Sequence, residues 1–274
     1  MLKDINSCVR LHNGVQMPWL GFGTFKIPDG EEVEQSVLWA LEAGYRSIDT
    51  AAMYRNEAGV GRALKASGIP RDQIFLTTKV ANDDQGYEST LQAFEKSLEL
   101  LEVDYVDLYL VHRAVKGKFP DTWRAMETIY QGRRARAVGV SNFLIHHLET
   151  LRETSDFIPM VNQIEYHPLL TEVKLLQYCA QRDIVPTAWS PLMRGGIFEN
   201  EVIQQLAQKY KKTMAQVVLR WDLQHGVVTI PKSVHRERIV ENANLFDFNL
   251  SDEDMALIDA LNQDHRISTH PDNY

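Results

Sequence analysis

Four side chains in this sequence have types and positions that suit proton transfer: Asp49, Tyr54, Lys79 and His112. Asp49 ends the run Arg46-Ser47-Ile48-Asp49, and Tyr54 follows five residues later. Lys79 ends Ile74-Phe75-Leu76-Thr77-Thr78-Lys79, and His112 ends Val106-Asp107-Leu108-Tyr109-Leu110-Val111-His112. A free phenol has a pKa near 10, high for an acid at neutral pH. A neighbouring ammonium stabilises the phenolate and lowers that value. Lys79 can supply the charge, Asp49 can hold Lys79 in place, and His112 can hydrogen-bond a substrate carbonyl. Together the four would polarise a C=O group and deliver a proton to its oxygen. Taken singly, each has an ordinary explanation as a turn, packing or solvated residue, so the case rests on their joint position.

Those runs are expected to be strands, because they are short, apolar and rich in β-branched residues. Further runs of the same kind lie at Trp19–Phe22, Ala135–Ser141, Met160–Ile164, Val185–Ser190 and Val227–Ile230, which makes eight. Helical periodicity fills the intervals. Glu32–Ala43 sets Val33, Val37, Leu38 and Leu41 on one face, and Ser89–Leu101 does so with Leu91, Phe94, Leu98 and Leu101. Pro120 is placed to open a helix, and Asn142 to cap the one after Phe143. Glu201–Tyr210 and Thr213–His225 both fall between the seventh and eighth strands, so one of them is an insertion. Eight alternating units without a linker predict a single (β/α)8 TIM barrel over residues 1–274 rather than an open doubly wound sheet. In such barrels active sites lie at the C-terminal ends of the strands, where the four residues fall. Asn13-Gly14 predicts an N-terminal β-hairpin with a type I′ turn. The short C-terminal tail Ser268–Tyr274 is expected to be mobile or draped over the surface.

The net charge of −8 and the pI near 5.6 disfavour a nucleic-acid or anionic-membrane partner. No apolar run approaches the roughly 20 residues that span a bilayer, and no signal peptide is read, so a soluble cytoplasmic protein is expected. Cys8 and Cys179 have no zinc or disulfide spacing, and Cys179 is expected to be buried and structural. Metal motifs are missing too: no HExxH, P-loop or CxxC occurs, and no metal site is predicted. His146 and His147 are expected to face different ways into solvent. Gly59-Val60-Gly61 lacks the third glycine of a dinucleotide fingerprint and lies in a helix-like segment. Gly139-Val140-Ser141-Asn142-Phe143 fails the nucleophile-elbow pattern at its last position.

In context these residues resemble the aldo-keto reductase superfamily. The matching stretches are Gly21-Phe22-Gly23-Thr24-Phe25, Gly44 to Ala51, Tyr54-Arg55-Asn56-Glu57, Thr78-Lys79, Asp107 to His112, Gly139 to Phe143, Asn162 to Pro168, Ile230-Pro231-Lys232-Ser233 and Arg238 to Asn242. They cover nearly the whole chain in order. Compact length and short loops look most like bacterial reductases of diketogluconate, methylglyoxal and similar small carbonyls.

The resemblance implies a barrel that binds extended NADP(H) without a Rossmann domain and reduces an aldehyde or ketone. It makes Tyr54 the general acid, Lys79 and Asp49 its tuning pair, and His112 the orienting group. Ser141, Asn142 and Gln163 would meet the nicotinamide carboxamide, and Trp189 would stack on its ring. Ser190 and Leu192 would follow the pyrophosphate. Lys232, Ser233 and Arg238 would take the 2′-phosphate, and Glu241 and Asn242 would lie near the adenine. Gly23, Thr24, Ile230 and Val234 complete the implied cofactor contacts. Phe25, Tyr54, His112 and Arg113 are the implied substrate-pocket residues, and a monomer is implied.

The chain departs from the family pattern in two places. Arg113-Ala114 stands where Trp-Pro is usual, which predicts altered preference toward anionic carbonyl compounds. Phe25 replaces a frequent tryptophan. The missing long C-terminal loop implies an open pocket of broad specificity. Two rival readings accompany this one: an NADP(H)-binding regulatory subunit with little turnover, and a Schiff-base aldolase with Lys79 as nucleophile.

Overall fold

The computed structural model describes residues 2–274. A hairpin of β1 (Cys8–Arg10) and β2 (Gln16–Pro18) comes first. Eight parallel strands follow: β3 (Phe22–Gly23), β4 (Ser47–Asp49), β5 (Phe75–Val80), β6 (Val106–Val111), β7 (Ala135–Ser141), β8 (Val161–Glu165), β9 (Val185–Trp189) and β10 (Val228–Thr229). They pair in sequence order, and a parallel bridge from Leu20 to Thr229 closes the ring. Gly21 N–H donates to Thr229 O at 2.9 Å, and Thr229 N–H donates to Trp19 O at 3.1 Å. The predicted barrel is therefore present. Its first strand sits slightly later than expected, β5 runs one residue past Lys79, and His112 lies just beyond β6.

Helices α1 (Glu31–Glu42), α2 (Glu57–Ala66), α3 (Tyr87–Leu101), α4 (Phe119–Gln131), α5 (Ile145–Thr154) and α6 (Val173–Ala180) form the outer layer. After β9 come α7 (Glu201–Tyr210) and α8 (Met214–Gln224), and after β10 come α9 (Arg236–Ala243) and α10 (Asp252–Asp259). Helix α8 packs on β10, whereas α7 packs on α8 and α10, so α7 is the insertion. Glycines 59 and 61 belong to α2. A Cβ on Gly61 would stand 2.5 Å from Leu101 O, so that residue serves close packing against α3.

Side chains alternate across each strand, and the alternation explains where the chemistry lies. Outward residues such as Leu76, Tyr109, Val111 and Val138 join the helices in one core. Inward residues Phe75, Leu108, Leu110, Ala137, Val161 and Val185 form a second core, which the hairpin closes with Leu11 and Met17. Two or four residues further along the same strands, the inward series becomes Lys79, His112, Ser141, Gln163 and Trp189, and Asp49 joins it from β4. One face of most of these strands thus passes from apolar at the hairpin end to polar at the mouth.

Three local expectations are corrected. Asn13-Gly14 is not a type I′ turn: only Gly14 has positive φ (91°), and Gly14 N–H donates to Leu11 O while Leu11 N–H donates to Val15 O. That is a wider turn with glycine at the left-handed position. Asn142 does not cap α5. The N-cap is Leu144, and His147 Nδ1 accepts from Leu144 N–H at 3.2 Å. His146 and His147 do not diverge: their ring centroids are 4.0 Å apart, His147 is buried, and both Nε2 atoms face Asp272. Of the two expectations for the tail, the draped one holds: it lies over the surface, anchored by buried Pro271 and by Lys116 N–H, which donates to Tyr274 O at 3.2 Å. Cys179 is buried as expected, and burial pushes its thiol up to about 12. No helix among the described residues is long and apolar enough to cross a membrane.

Candidate active site

The mouth of the barrel opens into a cavity of about 920 Å³. Asp49, Tyr54 and His112 line it, and Lys79 lies fully buried behind them. Asp49 and Lys79 reach it from β4 and β5. Tyr54 ends a single helical turn, Ala52–Tyr54, that Asn56 holds in place. The Asn56 amide donates to Thr24 O and Ile27 O, and its Oδ1 accepts from Thr50 Oγ1.

Lys79 Nζ donates to Asp49 Oδ1 at 2.6 Å, to Thr50 O at 2.8 Å and to Tyr54 Oη at 3.4 Å. An ammonium has three protons and no acceptor, so all its donors are used. Tyr54 Oη must then accept, which frees its own proton to point into the cavity. The second Asp49 oxygen accepts from Gln163 Nε2 at 2.8 Å. Burial works against the Lys79 charge, but Asp49 and then Tyr54 more than offset it and raise its pKa. Lys79 therefore stays cationic, which removes the neutral amine that a Schiff-base nucleophile needs.

For Tyr54 the expectation of a lowered pKa is corrected. Burial raises it, and although Lys79 and Arg113 lower it, burial wins. The phenol keeps its proton until a stronger base appears beside it. His112 is held well below the usual imidazole range by burial, then by the charges of Lys79 and Arg113. Its Nδ1 is buried without a partner, so a neutral ring keeps Nε2 as the polar atom for the cavity. The Tyr54 and His112 rings meet edge to face at 5.7 Å, and Phe25 leans on Tyr54 at 5.1 Å.

The cavity continues as a groove toward α9. Near Tyr54 its wall is a tight network. Ser141 Oγ donates to Gln163 O, Asn142 Nδ2 donates to His112 O and Ser141 Oγ, and Trp189 Nε1 donates to Asn142 Oδ1. Asn142 takes a left-handed conformation (φ 61°), as do Ser190 (φ 51°) and Arg194 (φ 56°), and such backbone gathers where a site over-determines it. Gly139 is required beneath this wall, since a Cβ there would stand 2.5 Å from Val161 O. At the far end Lys232, Ser233, Arg238, Glu241 and Asn242 line the groove, with Gly23, Ile230, Ser190 and Leu192 between. Neither Lys232 nor Arg238 has a salt-bridge partner among the described residues. Burial and the Lys26 charge depress the Lys232 pKa.

An elongated groove with a polar, aromatic end and two unpaired cations suits an extended anionic dinucleotide. Of the residues implied for the cofactor, Thr24 and Val234 do not line the groove. Thr24 is fully buried and bonds Asp49 O, so it braces the catalytic end. Several lining residues went unread in the sequence, among them Lys26, Met53, Arg194, Phe198 and Met214. For Arg194 the available signal is Arg194-Gly195-Gly196 in the loop that follows the seventh barrel strand. Among the described residues one cluster, His146, His147 and Asp272, brings metal-capable atoms within 4.8 Å. Because His147 Nδ1 accepts from a backbone N–H, its Nε2 carries the proton and is not free for a metal.

The aldo/keto reductase family model matches residues 19–263. The chain is 57% identical over 272 residues to the glyoxal reductase of Bacillus subtilis, covering 99% of each. It is 46% identical, with a TM-score of 0.94, to an aldo-keto reductase from a Medee basin deep-sea metagenome library, covering 97% of this chain and 99% of that one. A Bombyx mori aldo-keto reductase in complex with NADP is 34% identical, with a TM-score of 0.91 over 99% of this chain and 97% of that one.

Proposed function

The chain belongs to the aldo/keto reductase family, and on that premise we propose how its own residues carry out NADPH-dependent reduction of small aldehydes and ketones. The observation that carries the reading is the three-way bonding of Lys79, which leaves the Tyr54 proton facing the cavity. The residues lining the groove would hold NADPH, which would supply the hydride for the carbonyl carbon. His112 Nε2–H donates to the carbonyl oxygen and orients it. As negative charge grows on that oxygen, Tyr54 gives up its proton, and Lys79 stabilises the phenolate that remains. Asp49, held by Gln163, keeps Lys79 aimed. Reversal of these steps oxidises an alcohol.

Ser141, Asn142, Gln163 and Trp189 are assigned to the nicotinamide end, and Lys232, Ser233 and Arg238 to the 2′-phosphate end. The unpaired cations support NADPH over NADH. One barrel domain of one chain holds both ends, so a monomer is sufficient, and small aldehydes and 1,2-dicarbonyls are the assigned substrates. The intact quartet weighs against a regulatory subunit without turnover.

The test is NADPH oxidation over a panel of small aldehydes, dicarbonyls and keto acids, repeated with NADH. Turnover with NADPH and weaker use of NADH is expected. In Lys232→Ala combined with Arg238→Ala, NADPH affinity should fall about tenfold or more and NADH affinity should hold, since each charge-assisted bond contributes roughly 1.5–3 kcal/mol. NADPH binding without turnover on any carbonyl would instead support the regulatory reading.

A further inference from the structure

Arg113 follows His112 and lines the cavity beside it and Tyr54. Its backbone is fixed, because Gln85 Nε2 donates to Arg113 O at 2.7 Å. Its guanidinium carbon lies 4.1 Å from the centre of the Tyr274 ring. That ring belongs to the docked tail, which Pro271, the Asp272–His146 pair and the Lys116 N–H hold down. Yet Arg113 Nη1 is buried without any hydrogen-bond partner. A buried charged donor left unpaired is costly, and the aromatic face compensates the charge without accepting that proton.

The surroundings favour an anion. Lys26 and Arg194 also line the cavity; of the nearby acids Asp49 is already paired with Lys79, Glu165 is held by His167 and the Ile267 N–H, and Glu241 lies at the α9 end. A planar guanidinium beside the carbonyl-orienting imidazole matches a carboxylate, which offers two oxygens to the fork.

We propose that Arg113 is a specificity-determining residue that binds the carboxylate of oxo-acid substrates, small aldehydes and ketones bearing a carboxylate, and that Tyr274 is its positioning residue. This assignment rests on the carbonyl-reductase reading. It makes the tail part of the substrate site, although the tail supplies no group to the reacting atoms.

The experiment measures kcat and KM with NADPH for glyoxylate and succinic semialdehyde against propanal and butanal. It uses wild type, Arg113→Gln, Arg113→Lys and Tyr274→Ala, each first checked for NADPH binding. The ratio of kcat/KM for carboxylated over neutral aldehydes is expected to fall at least tenfold in Arg113→Gln, mainly through KM. Arg113→Lys should retain more of the ratio than Arg113→Gln. Tyr274→Ala should lower it about threefold, again through KM. In wild type the ratio should also fall with added salt. A ratio unchanged in Arg113→Gln, or neutral aldehydes losing as much as carboxylated ones, overturns the assignment. Wild type that turns over propanal and rejects both acids overturns it while the reductase reading stands. Wild type that oxidises no NADPH with any aldehyde overturns both.

Discussion

The two ends of the barrel are made by the same strands, and their interiors are opposite in kind. At the hairpin end, Leu108, Leu110, Phe75 and Val161 meet Leu11 and Met17 in a closed apolar plug. At the mouth, the next inward positions carry a buried ion pair and a neutral imidazole, and the turn after β4 adds a phenol, around open space. The plug contributes stability by removing apolar surface from water. Burying ionised groups at the mouth costs free energy that their mutual bonds only partly return. The barrel therefore concentrates a costly constellation at one end, and the plug at the other end and the strand–helix core offset it. The difference predicts that substitutions in the plug lower stability and spare catalysis, whereas substitutions at the mouth lower catalysis whatever they do to stability.

The largest effect is expected from Lys79→Met. It leaves Asp49 buried without its cation and Tyr54 without phenolate support, so kcat/KM should fall by about 10³-fold or more, and urea unfolding should show a loss of roughly 3–5 kcal/mol. A variant with near-normal turnover would break the contrast. Leu110→Ala, one inward step below His112, should lose about 2–5 kcal/mol in urea unfolding, while kcat changes little. A large drop in kcat there would mean that the plug positions the quartet directly.

The pH profile sharpens the picture of the mouth. Burial, Lys79 and Arg113 hold the folded His112 pKa below its unfolded value. Its contribution to stability is thus fully present above the unfolded value of about 6.5 and is lost as pH falls through the folded one. Over the same range the ring stays neutral, so kcat/KM for reduction should show no inflection near pH 6.5. A step there would show that His112 titrates normally and is less enclosed than its surroundings imply.

Much of the mouth was readable in the sequence because it is local. Each of Asp49, Lys79 and His112 closes or nearly closes an apolar run, and the period-two alternation of a strand does the rest. The eight strands and most helices follow from the same periodicity. What escaped depends on partners distant in sequence. Asn142 looks like a helix cap, but its left-handed backbone and its bonds to His112 and Trp189 make it part of the wall. Gln163, expected at the nicotinamide, also gives its amide nitrogen to Asp49, a bond between residues 114 apart in sequence. His147 turned inward because Leu144 needed an acceptor for its N–H, and the tail ordered because Asp272 and Tyr274 found His146 and Arg113. For Tyr54, the sequence shows the neighbouring Lys79 but not the burial around the phenol, and burial decides the direction of its pKa.

The central claim is that Tyr54 donates the proton while the groove binds cofactor independently of it. Tyr54→Phe tests this when NADPH binding and NADPH-dependent aldehyde reduction are measured on the same preparation. The account predicts that NADPH affinity stays within about twofold while kcat falls by roughly 10²–10⁴-fold, the contribution of a positioned general acid. Full turnover in Tyr54→Phe with unaltered NADPH binding would contradict it.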